Sequence, residues 1–282
     1  MTMPAISFVT TCKGRLDHLR QTLPGVVMQP DAECIVVDYD CPDGTADWVQ
    51  ANYPEVKVVR VRDAPRFHKS HAGNLGAAEA TAPWLCLIDA DIIVDRAFVE
   101  RLTPLLVSGA YLRPSPLDWN AYGSFVCSRK DFDAIEGYDE VMESSGCMDD
   151  DIYRRLEISG IRQETFPGEL FVGIPHDDTV RTQFYEIKDR SFSQTINAVY
   201  ANIKHDLLRY TSESTLPLAT RRIIYAEVRA VLLDRLEGPR CGGRIEISLP
   251  VDSSVPMHGK WELHRKWTFD LRNISPLADQ TP

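Results

Sequence analysis

The sequence has no apolar run approaching the ~20 residues of a membrane-spanning helix, and the run near its start is too short for the core of a signal peptide. Its seven cysteines are scattered and have no CxxC spacing, which argues against a zinc site. An odd, dispersed set of this kind is typical of free thiols in a reducing compartment. The sequence therefore predicts a cytoplasmic protein, and it leaves open a peripheral position at the inner face of the membrane.

Basic residues are in the minority, because 31 Lys and Arg stand against 41 Asp and Glu to give a formal net charge of −10. This balance argues against nucleic acid as a partner, although a local basic pocket could still hold a phosphate-bearing small ligand. The remaining composition is that of an ordinary globular protein, with 44% hydrophobic and 26% charged residues. A length of 282 residues suits one large α/β domain with a C-terminal addition.

Short apolar runs alternate with helical patterns through the first part of the chain. Such alternation predicts an α/β fold with a mostly parallel, doubly wound sheet flanked by helices. Ligands of such sheets bind beyond the carboxyl ends of the strands, so the polar residues that follow each run are the candidates for a site. The four runs are Ile6–Thr10, Glu33–Asp38, Val56–Val61 and Trp84–Ile88.

The later part of the chain has a different pattern. Apolar residues at helical spacing predict amphipathic helices over residues 192–210 and 218–236, and the tail that follows is strand-like. We therefore predict a catalytic domain over residues 1–190 and a C-terminal extension of two helices and a short β segment over residues 191–282. The extension is also the surface that we expect to support a homodimer.

Two carboxylates, Asp89 and Asp91, follow a buried apolar strand directly. Carboxylates in such a place repel each other and lose hydration unless a cation lies between them. Mg²⁺ and Mn²⁺ suit oxygen ligands and commonly also bind substrate phosphates. The alternative is a solvated turn, and an isolated pair of this spacing does not decide between the two.

Other residues converge on the same predicted edge. Thr10 and Thr11 end the first strand, with Lys13 and Arg15 close behind, and Asp38 ends the second strand. A basic cluster that includes Lys69 precedes the fourth strand. Cations and carboxylates together suit a diphosphate held partly by metal and partly by side chains, whereas the basic cluster taken alone would be a solvated loop.

Three adjacent aspartates, Asp149–Asp151, open a predicted helix. Charge that complements the helix dipole accounts for one or two of them, but three repel. A transferase also needs a carboxylate that takes the proton from its acceptor hydroxyl. His176 follows a further apolar run and could add a nitrogen ligand that favours Mn²⁺, although a lone histidine is more often structural.

From about Ile6 to His176 the residues resemble the GT-A nucleotide-sugar fold, and most closely the β-1,4-galactosyltransferase-like and chondroitin-polymerase-like enzymes. Four segments carry the resemblance, and their order and spacing make it specific. They are Arg15–Leu19, then Phe67–Lys69 with Asn74–Gly76 and Asp89–Asp91, then Phe132–Glu140 with Asp149–Asp151, and finally Gly173–His176.

The resemblance implies an inverting, metal-dependent transfer of a hexose-type sugar from a UDP-sugar to a glycan or other hydroxyl-bearing acceptor. It implies that Asp91 and His176 hold Mn²⁺ or Mg²⁺, that Asp149 is the general base, and that Asp150 contacts the acceptor. The residues that it places at the donor are Thr10, Thr11, Lys13, Arg15, Asp38, Phe67, Lys69, Asn74 and Asp89. Of these, Asp38 is expected to accept the uracil imide N–H.

The likeness departs from the family on the acceptor side. The family's tryptophan and glycines before the acidic run are here Ser144–Cys147, and its glutamate is Met148. The donor sugar and the acceptor therefore do not follow from the resemblance, and the last hundred residues match no family pattern.

Three other functions are weighed against this one. A haloacid-dehalogenase-like phosphatase also has two aspartates at this spacing after a strand, but Ile93 occupies the place of its usual Thr or Val. A sugar-nucleotide pyrophosphorylase would need a glycine-rich loop after the first strand, which is absent. A non-catalytic subunit that binds nucleotide sugar remains the main alternative, and the intact metal and base candidates argue against it.

Overall fold

The computed structural model describes residues 4–176, 178–236, 243–250 and 264–271. The strands of these residues are β1 (Ile6–Cys12), β2 (Ala32–Tyr39), β3 (Lys57–Val61), β4 (Trp84–Asp89), β5 (Ile92–Val94), β6 (Ala110–Ser115), β7 (Phe125–Ser128), β8 (Arg162–Pro167), β9 (Phe171–Gly173), β10 (Gly243–Pro250) and β11 (His264–Leu271). Their α-helices are α1 (Leu16–Val27), α2 (Thr45–Asn52), α3 (Lys69–Ala78), α4 (Phe98–Leu102), α5 (Arg129–Ala134), α6 (Met148–Ile158), α7 (Asp178–Thr182), α8 (Arg190–Thr211) and α9 (Leu218–Leu236).

Within the described residues, seven strands form one sheet in the order β3-β2-β1-β4-β7-β6-β8. The first four are parallel to one another, whereas β7 runs antiparallel to both β4 and β6. Strand β8 is parallel to β6. The predicted mostly parallel sheet flanked by helices is therefore confirmed. The carboxyl ends of β1, β2 and β4 meet at one edge, where the sequence places its candidate residues.

Strand β1 lies at the centre of the parallel half and is buried on both faces, as its continuous apolar run predicts. Helix α3 packs against β1 and β2 through Gly76. A Cβ at Gly76 would lie 2.4 Å from Val9 Cγ1 and 2.9 Å from Val37 Cγ2, so a larger residue would push the helix away. This close approach places the first residue of α3, Lys69, at the carboxyl end of the sheet.

A second, small β pair brings distant parts of the chain together. Strand β5 follows the turn that contains Asp91, and it pairs antiparallel with β9. The Ile174 N–H donates to the Asp91 carbonyl over 2.8 Å, just beyond this pair. His176 follows two residues later. The pairing therefore explains how a histidine 85 positions along the chain comes to lie beside Asp91.

Helices α8 and α9 and the β10–β11 hairpin share a hydrophobic core with residues 141–142 of the preceding domain. Buried side chains such as Ile196, Tyr200 and Val228 form this core, and Ile245 and Ile247 of the hairpin cover it. The predicted helices and β segment of the extension are thus present, whereas the domain boundary and the homodimer stay predictions. No helix in the described part of the chain is both long and apolar enough to span a membrane.

Candidate active site

A cavity of about 590 Å³ opens at the carboxyl ends of β1 and β4. Its volume lies within the range of small-molecule sites. The residues that the sequence placed at a site and that the structure places in its lining are Thr11, Lys13, Arg15, Phe67, Lys69, Asp89, Asp91, Asp149, Asp150 and His176. One cavity therefore holds the predicted donor, metal, base and acceptor residues together, and the role of each stays a prediction.

Three predicted donor residues lie outside the cavity lining: Thr10, Asp38 and Asn74. Asp38 is buried, and its two carboxylate oxygens accept the N–H groups of Cys41 and Ala46, each over 2.7 Å. It therefore holds the loop after β2, and its expected contact with a uracil imide stays a prediction.

Asn74 and Thr10 have structural surroundings as well. The Asn74 side chain donates to the Tyr138 carbonyl and accepts the Tyr138 N–H, so it joins α3 to the segment before α6. Thr10 is buried within β1. The Thr10 hydroxyl has no hydrogen-bond partner among the described residues. The expected contacts of Thr10 and Asn74 with the donor stay predictions.

Lys13 reaches the cavity lining, but its ammonium group is already satisfied. It donates to the carbonyls of Tyr39, Asp40 and Ala64 over 3.0, 2.7 and 2.8 Å. A lysine has three N–H donors, so all three are used to hold the loops after β2 and β3. Lys13 therefore shapes the donor side of the cavity, and its expected contact with the donor stays a prediction.

Lys69 links the two carboxylate groups of the site. Its Nζ lies 3.0 Å from Asp89 Oδ1 and 3.2 Å from Asp149 Oδ1. Burial would raise the pKa of Asp89, but the Lys69 ammonium outweighs it and the pKa is lowered. Burial also raises the pKa of Asp149, and Lys69 only partly offsets the effect. Asp149 is therefore the more basic of the two carboxylates that share one cation.

Asp91 has a different neighbourhood. Its Oδ2 lies 3.3 Å from Arg15 Nη1 and 3.1 Å from His176 Nδ1. Burial, together with the charge of Asp89, raises the pKa of Asp91 to about 6. Burial also lowers the pKa of His176, with Arg15 adding to the effect, so its imidazole is held in the neutral form that binds metals.

The donor set around Asp91 fits a divalent cation. Its Oδ1 is buried and has no hydrogen-bond partner among the described residues, which is costly unless a further group binds there. No cluster of three or more His, Cys, Asp or Glu side chains suited to a metal occurs in the residues that the structure describes. Mg²⁺ and Mn²⁺ often take only one or two protein carboxylates and complete their coordination with water and substrate phosphates. Asp91 and His176 suffice on that basis.

The three adjacent aspartates of α6 have three different environments. Asp149 faces the cavity with its side chain 15% exposed. The exposed Asp150 accepts a hydrogen bond from the Tyr122 hydroxyl at the cavity mouth. Asp151 is fully buried beside Arg155, Lys204 and His205.

The surroundings of Asp151 tie the start of α6 to α8. Lys204 Nζ lies 2.7 Å from Asp151 Oδ1 and 2.5 Å from Asp139 Oδ2, and His205 Nε2 lies 2.8 Å from Asp151 Oδ1. Burial opposes ionisation of Asp151, but Arg155 and Lys204 hold its pKa well below the usual range. Asp151 is therefore a structural anion, and the repulsion expected among three aspartates is relieved by this network.

Several cavity residues escaped the sequence interpretation. They are Trp119, Tyr122 and Gly123 before β7, Arg181, Phe184 and Tyr185 after β9, and Arg190 and Gln194 at the start of α8. Of these, only Arg190 and Gln194 could have been recognised together from the sequence, because residues four apart on one helix share a face. The others come from loops whose path is decided by tertiary packing. Gly123 leaves room for the site, since a Cβ there would lie 2.9 Å from Asp149 Oδ2.

Two family models match the chain. Glycosyl transferase family 2 matches residues 7–112, and the N-terminal domain of galactosyltransferase matches residues 110–177. Together they span β1 to the residue after His176, a part of the chain that contains most residues of the cavity lining. No curated protein matches the sequence.

Solved structures of low sequence identity share the fold. The mannosyltransferase PcManGT from Pyrobaculum calidifontis, in complex with GDP-Man and Mn²⁺, has 15% identity and a TM-score of 0.55, covering 83% of this chain and 76% of its own. S. aureus TarS 1–349 in complex with UDP-GlcNAc has 12% identity and a TM-score of 0.56, with 79% and 71% covered. At such identities the likeness concerns the fold alone. Taken together with the two family models, the shared fold identifies the chain as a nucleotide-sugar glycosyltransferase of GT-A fold.

Proposed function

We propose that this glycosyltransferase moves a hexose-type sugar from a UDP-sugar to an acceptor hydroxyl with inversion of the anomeric centre, in glycan or polysaccharide biosynthesis. Asp91 and His176 would hold Mn²⁺ or Mg²⁺ for this reaction. The contents of one cavity carry the proposal. The buried Asp91 Oδ1 has no hydrogen-bond partner among the described residues, and Asp91 lies beside the neutral His176. Asp149, whose pKa is raised, is hydrogen-bonded to Lys69 in the same cavity.

The donor side is formed by Asp91, His176, Arg15 and Asp89. Asp91 and His176 would hold the cation, which supplies positive charge to the leaving diphosphate. Arg15 Nη1 is 3.3 Å from Asp91 and supplies a further fixed cation at the same place. Lys69 keeps Asp89 ionised and oriented. Arg15 and the bound cation would lower the cost of the negative charge that develops on the diphosphate as its bond to the sugar breaks.

The acceptor side is formed by Asp149 and the residues around it. Inversion by a single displacement needs a carboxylate that takes the acceptor proton as the hydroxyl attacks. Asp149 is fixed at the first turn of α6 by the buried network of Asp151, and its raised pKa makes it a better proton acceptor than an ordinary aspartate. Asp150 is left to hold an acceptor hydroxyl.

An aromatic platform beside Asp150 favours a sugar as the acceptor. Trp119 is 75% exposed and stacks on Tyr122, with ring centroids 5.7 Å apart and planes 10° from parallel. An exposed, rigid aromatic face can cover the apolar face of a pyranose ring while Asp150 accepts hydrogen bonds from its hydroxyls. Both features lie at the mouth of the cavity.

Trp119→Ala should raise the KM for a saccharide acceptor about tenfold, equivalent to about 1.4 kcal/mol, because the stacking face is lost. The KM for the donor should be nearly unchanged. Trp119→Phe keeps a ring and should lie between the parent and the alanine variant. Tyr210→Ala is the matched control, since Tyr210 is 67% exposed on α8 outside the cavity lining. Equal acceptor kinetics for Trp119→Ala and the parent would exclude the platform.

The donor is tested by thermal unfolding with Mn²⁺ and a panel of UDP-, GDP- and dTDP-sugars. A ligand at about 100 times its Kd adds about 2.7 kcal/mol to the free energy of unfolding, so the preferred donor should raise the Tm clearly. We expect UDP-sugars to raise it most. The galactosyltransferase family match and the fold shared with TarS, solved with UDP-GlcNAc, support this choice. A GDP-sugar that stabilises more than every UDP-sugar would overturn it.

Turnover separates the proposal from a non-catalytic subunit. The preferred donor should release UDP in the presence of Mn²⁺ and a saccharide acceptor, or slowly by hydrolysis without one. Binding of the donor with no UDP release under either condition would favour the subunit instead.

A further inference from the structure

Two cysteine thiols lie together beneath the donor side of the cavity. Cys12 is the last residue of β1, and Cys41 lies two residues beyond the end of the neighbouring strand β2. The two thiols are close enough that each is the largest influence on the pKa of the other. Cys12 is fully buried, whereas Cys41 is partly exposed. A small reagent can therefore reach one sulfur of the pair, and the other lies directly behind it.

Hydrogen-bond donors converge on the Cys41 sulfur. The Gly14 N–H donates to Cys41 Sγ over 3.1 Å. The Cys12 thiol, the Thr45 hydroxyl and the Asp43 N–H each lower the pKa of Cys41. The Thr45 hydroxyl lies 3.3 Å from Cys12 Sγ as well. Donors arranged in this way stabilise a thiolate over a thiol.

The two thiols consequently differ in ionisation. The Cys12 hydrogen bond, with the other donors, lowers the pKa of Cys41 to about 6, whereas the pKa of Cys12 is raised well above its usual range. The charged groups around Cys41 are the Lys13 ammonium from the β1–α1 loop and the carboxylates of Asp38, Asp40 and Asp43 from its own loop. Asp38 accepts the Cys41 N–H, and Lys13 donates to the Asp40 carbonyl.

Other cysteines of the described residues do not share this environment. Burial raises the pKa of Cys34 and Cys147, each to about 12, and also raises those of Cys86 and Cys127. Since the thiolate is the nucleophile, Cys41 should react first among them. Cys241 lies outside the described residues.

We propose that Cys41 and Cys12 form an oxidation site, in which a hydroperoxide oxidises Cys41 and Cys12 then closes a disulfide. The Cys41 thiolate attacks one peroxide oxygen, the O–O bond breaks, and hydroxide leaves, so that Cys41 becomes a sulfenic acid and the peroxide is reduced. The Cys12 sulfur then attacks the sulfenic sulfur. The S–S bond forms, the S–OH bond breaks, and water leaves with the Cys12 proton.

The disulfide would alter the donor side of the cavity, a consequence that depends on the proposed function. A Cys41 sulfur bonded to Cys12 can no longer accept the Gly14 N–H as a thiolate does. Gly14 has a φ of +68° and lies between Lys13 and Arg15, and a Cβ there would lie 2.2 Å from the Phe184 ring. The segment has little room to adjust. Oxidation should therefore weaken nucleotide binding, by about tenfold if it is equivalent to one charge-assisted hydrogen bond.

The thiol chemistry is tested in a Cys241→Ser background by iodoacetamide labelling across pH and by peptide mapping. Labelling of Cys41 should follow a titration with its midpoint near 6. In Cys12→Ala the midpoint should rise, because the principal donor to the thiolate is removed. A Cys41 midpoint at the ~8.5 of an ordinary cysteine would overturn the proposal.

Peroxide treatment tests the second step. The parent should yield a peptide pair joined through Cys12 and Cys41. Cys12→Ala should instead trap a sulfenic acid at Cys41 that dimedone labels, and Cys41→Ser should give neither product. Sulfenic acid confined to another cysteine, or no linked pair in the parent, would contradict the proposal.

Binding of UDP with Mn²⁺ is then compared between the reduced and oxidised proteins, with Cys41→Ser as the unresponsive control. If the disulfide forms without any change in the affinity for UDP, the proposed effect on donor binding is wrong, whereas the proposed oxidation site still stands. Absence of UDP binding in the reduced protein would count against the proposed function alone, because the labelling and mapping do not depend on it.

Discussion

Asp149→Asn is expected to lower turnover by ~10²–10⁴-fold while the affinity for the donor stays near that of the parent. The substitution keeps the shape of the side chain and removes the proton acceptor. Lys69 still pairs with Asp89 in the variant, since Nζ lies 3.0 Å from that carboxylate, so the donor side should keep its geometry. The measurement is kcat with a saccharide acceptor, or donor hydrolysis in its absence, together with the Kd for UDP and Mn²⁺.

The neighbouring aspartates provide matched controls for this variant. Asp150→Asn changes an exposed carboxylate at the cavity mouth, so it should raise the acceptor KM and leave kcat largely intact. Asp151→Asn weakens a buried ion network, where losing one partner commonly costs 3–5 kcal/mol, so it should lower the Tm first. Near-parental turnover in Asp149→Asn, with Asp150→Asn inactive, would show that the base had been misplaced.

The pH dependence gives a second measure of the same assignment. Burial raises the pKa of Asp149, and the base must be ionised to accept a proton. Turnover should therefore fall as the pH drops through a pKa higher than that of an ordinary aspartate. The residual activity of Asp149→Asn should lack this acidic limb. If the acidic limb of the pH profile is unchanged in Asp149→Asn, that limb arises from the titration of another group.

Asp91→Ala should abolish metal-dependent nucleotide binding. The substitution removes the buried oxygen that has no partner among the described residues and the carboxylate that His176 and Arg15 both face. Calorimetry of UDP binding with and without Mn²⁺ gives the measurement. In the parent, chelation should weaken UDP binding, whereas in the variant chelation should have no effect.

Asp17→Ala serves as the control for the metal assignment. Asp17 lies on α1 near the site, but its side chain is 89% exposed and outside the cavity lining. This variant should bind UDP and Mn²⁺ like the parent. Parental binding by Asp91→Ala would exclude Asp91 as a ligand. Loss of binding in both variants would point to an effect of net charge rather than of coordination.

Much of the fold was predictable because its signals are local. Continuous apolar runs predicted β1, β2 and β4, and helical spacing predicted α8 and α9 with ends close to those observed. The alternation of strands and helices also predicted that polar residues after the strands would meet at one edge. This reasoning placed Asp89, Asp91 and Arg15 correctly in the cavity.

Three of the predicted donor residues also have structural roles that the sequence did not reveal. Asp38, Asn74 and Lys13 lie where donor contacts were expected, but each side chain is used by backbone groups of its surroundings. A polar residue after a strand can serve a ligand or satisfy a loop, and the sequence has the same appearance in both cases. Buried N–H and C=O groups require partners, so loops that pack against a sheet claim the nearest polar side chains.

The sequence by itself determined the parallel sheet, the Asp89–Asp91 turn at its carboxyl edge and the acidic start of α6, because strand and helix periodicity and the order of motifs are properties of neighbouring residues. Only the tertiary structure decided how the three adjacent aspartates divide between the cavity and the interior. Lys204 and Arg155 draw Asp151 into the interior, Tyr122 holds Asp150 at the mouth, and Lys69 joins Asp149 to Asp89. These partners come from α8, from a loop and from α3. A buried charge pairs with whichever counterion the packed elements bring close to it. The local sequence pattern does not show which residues will be close in space.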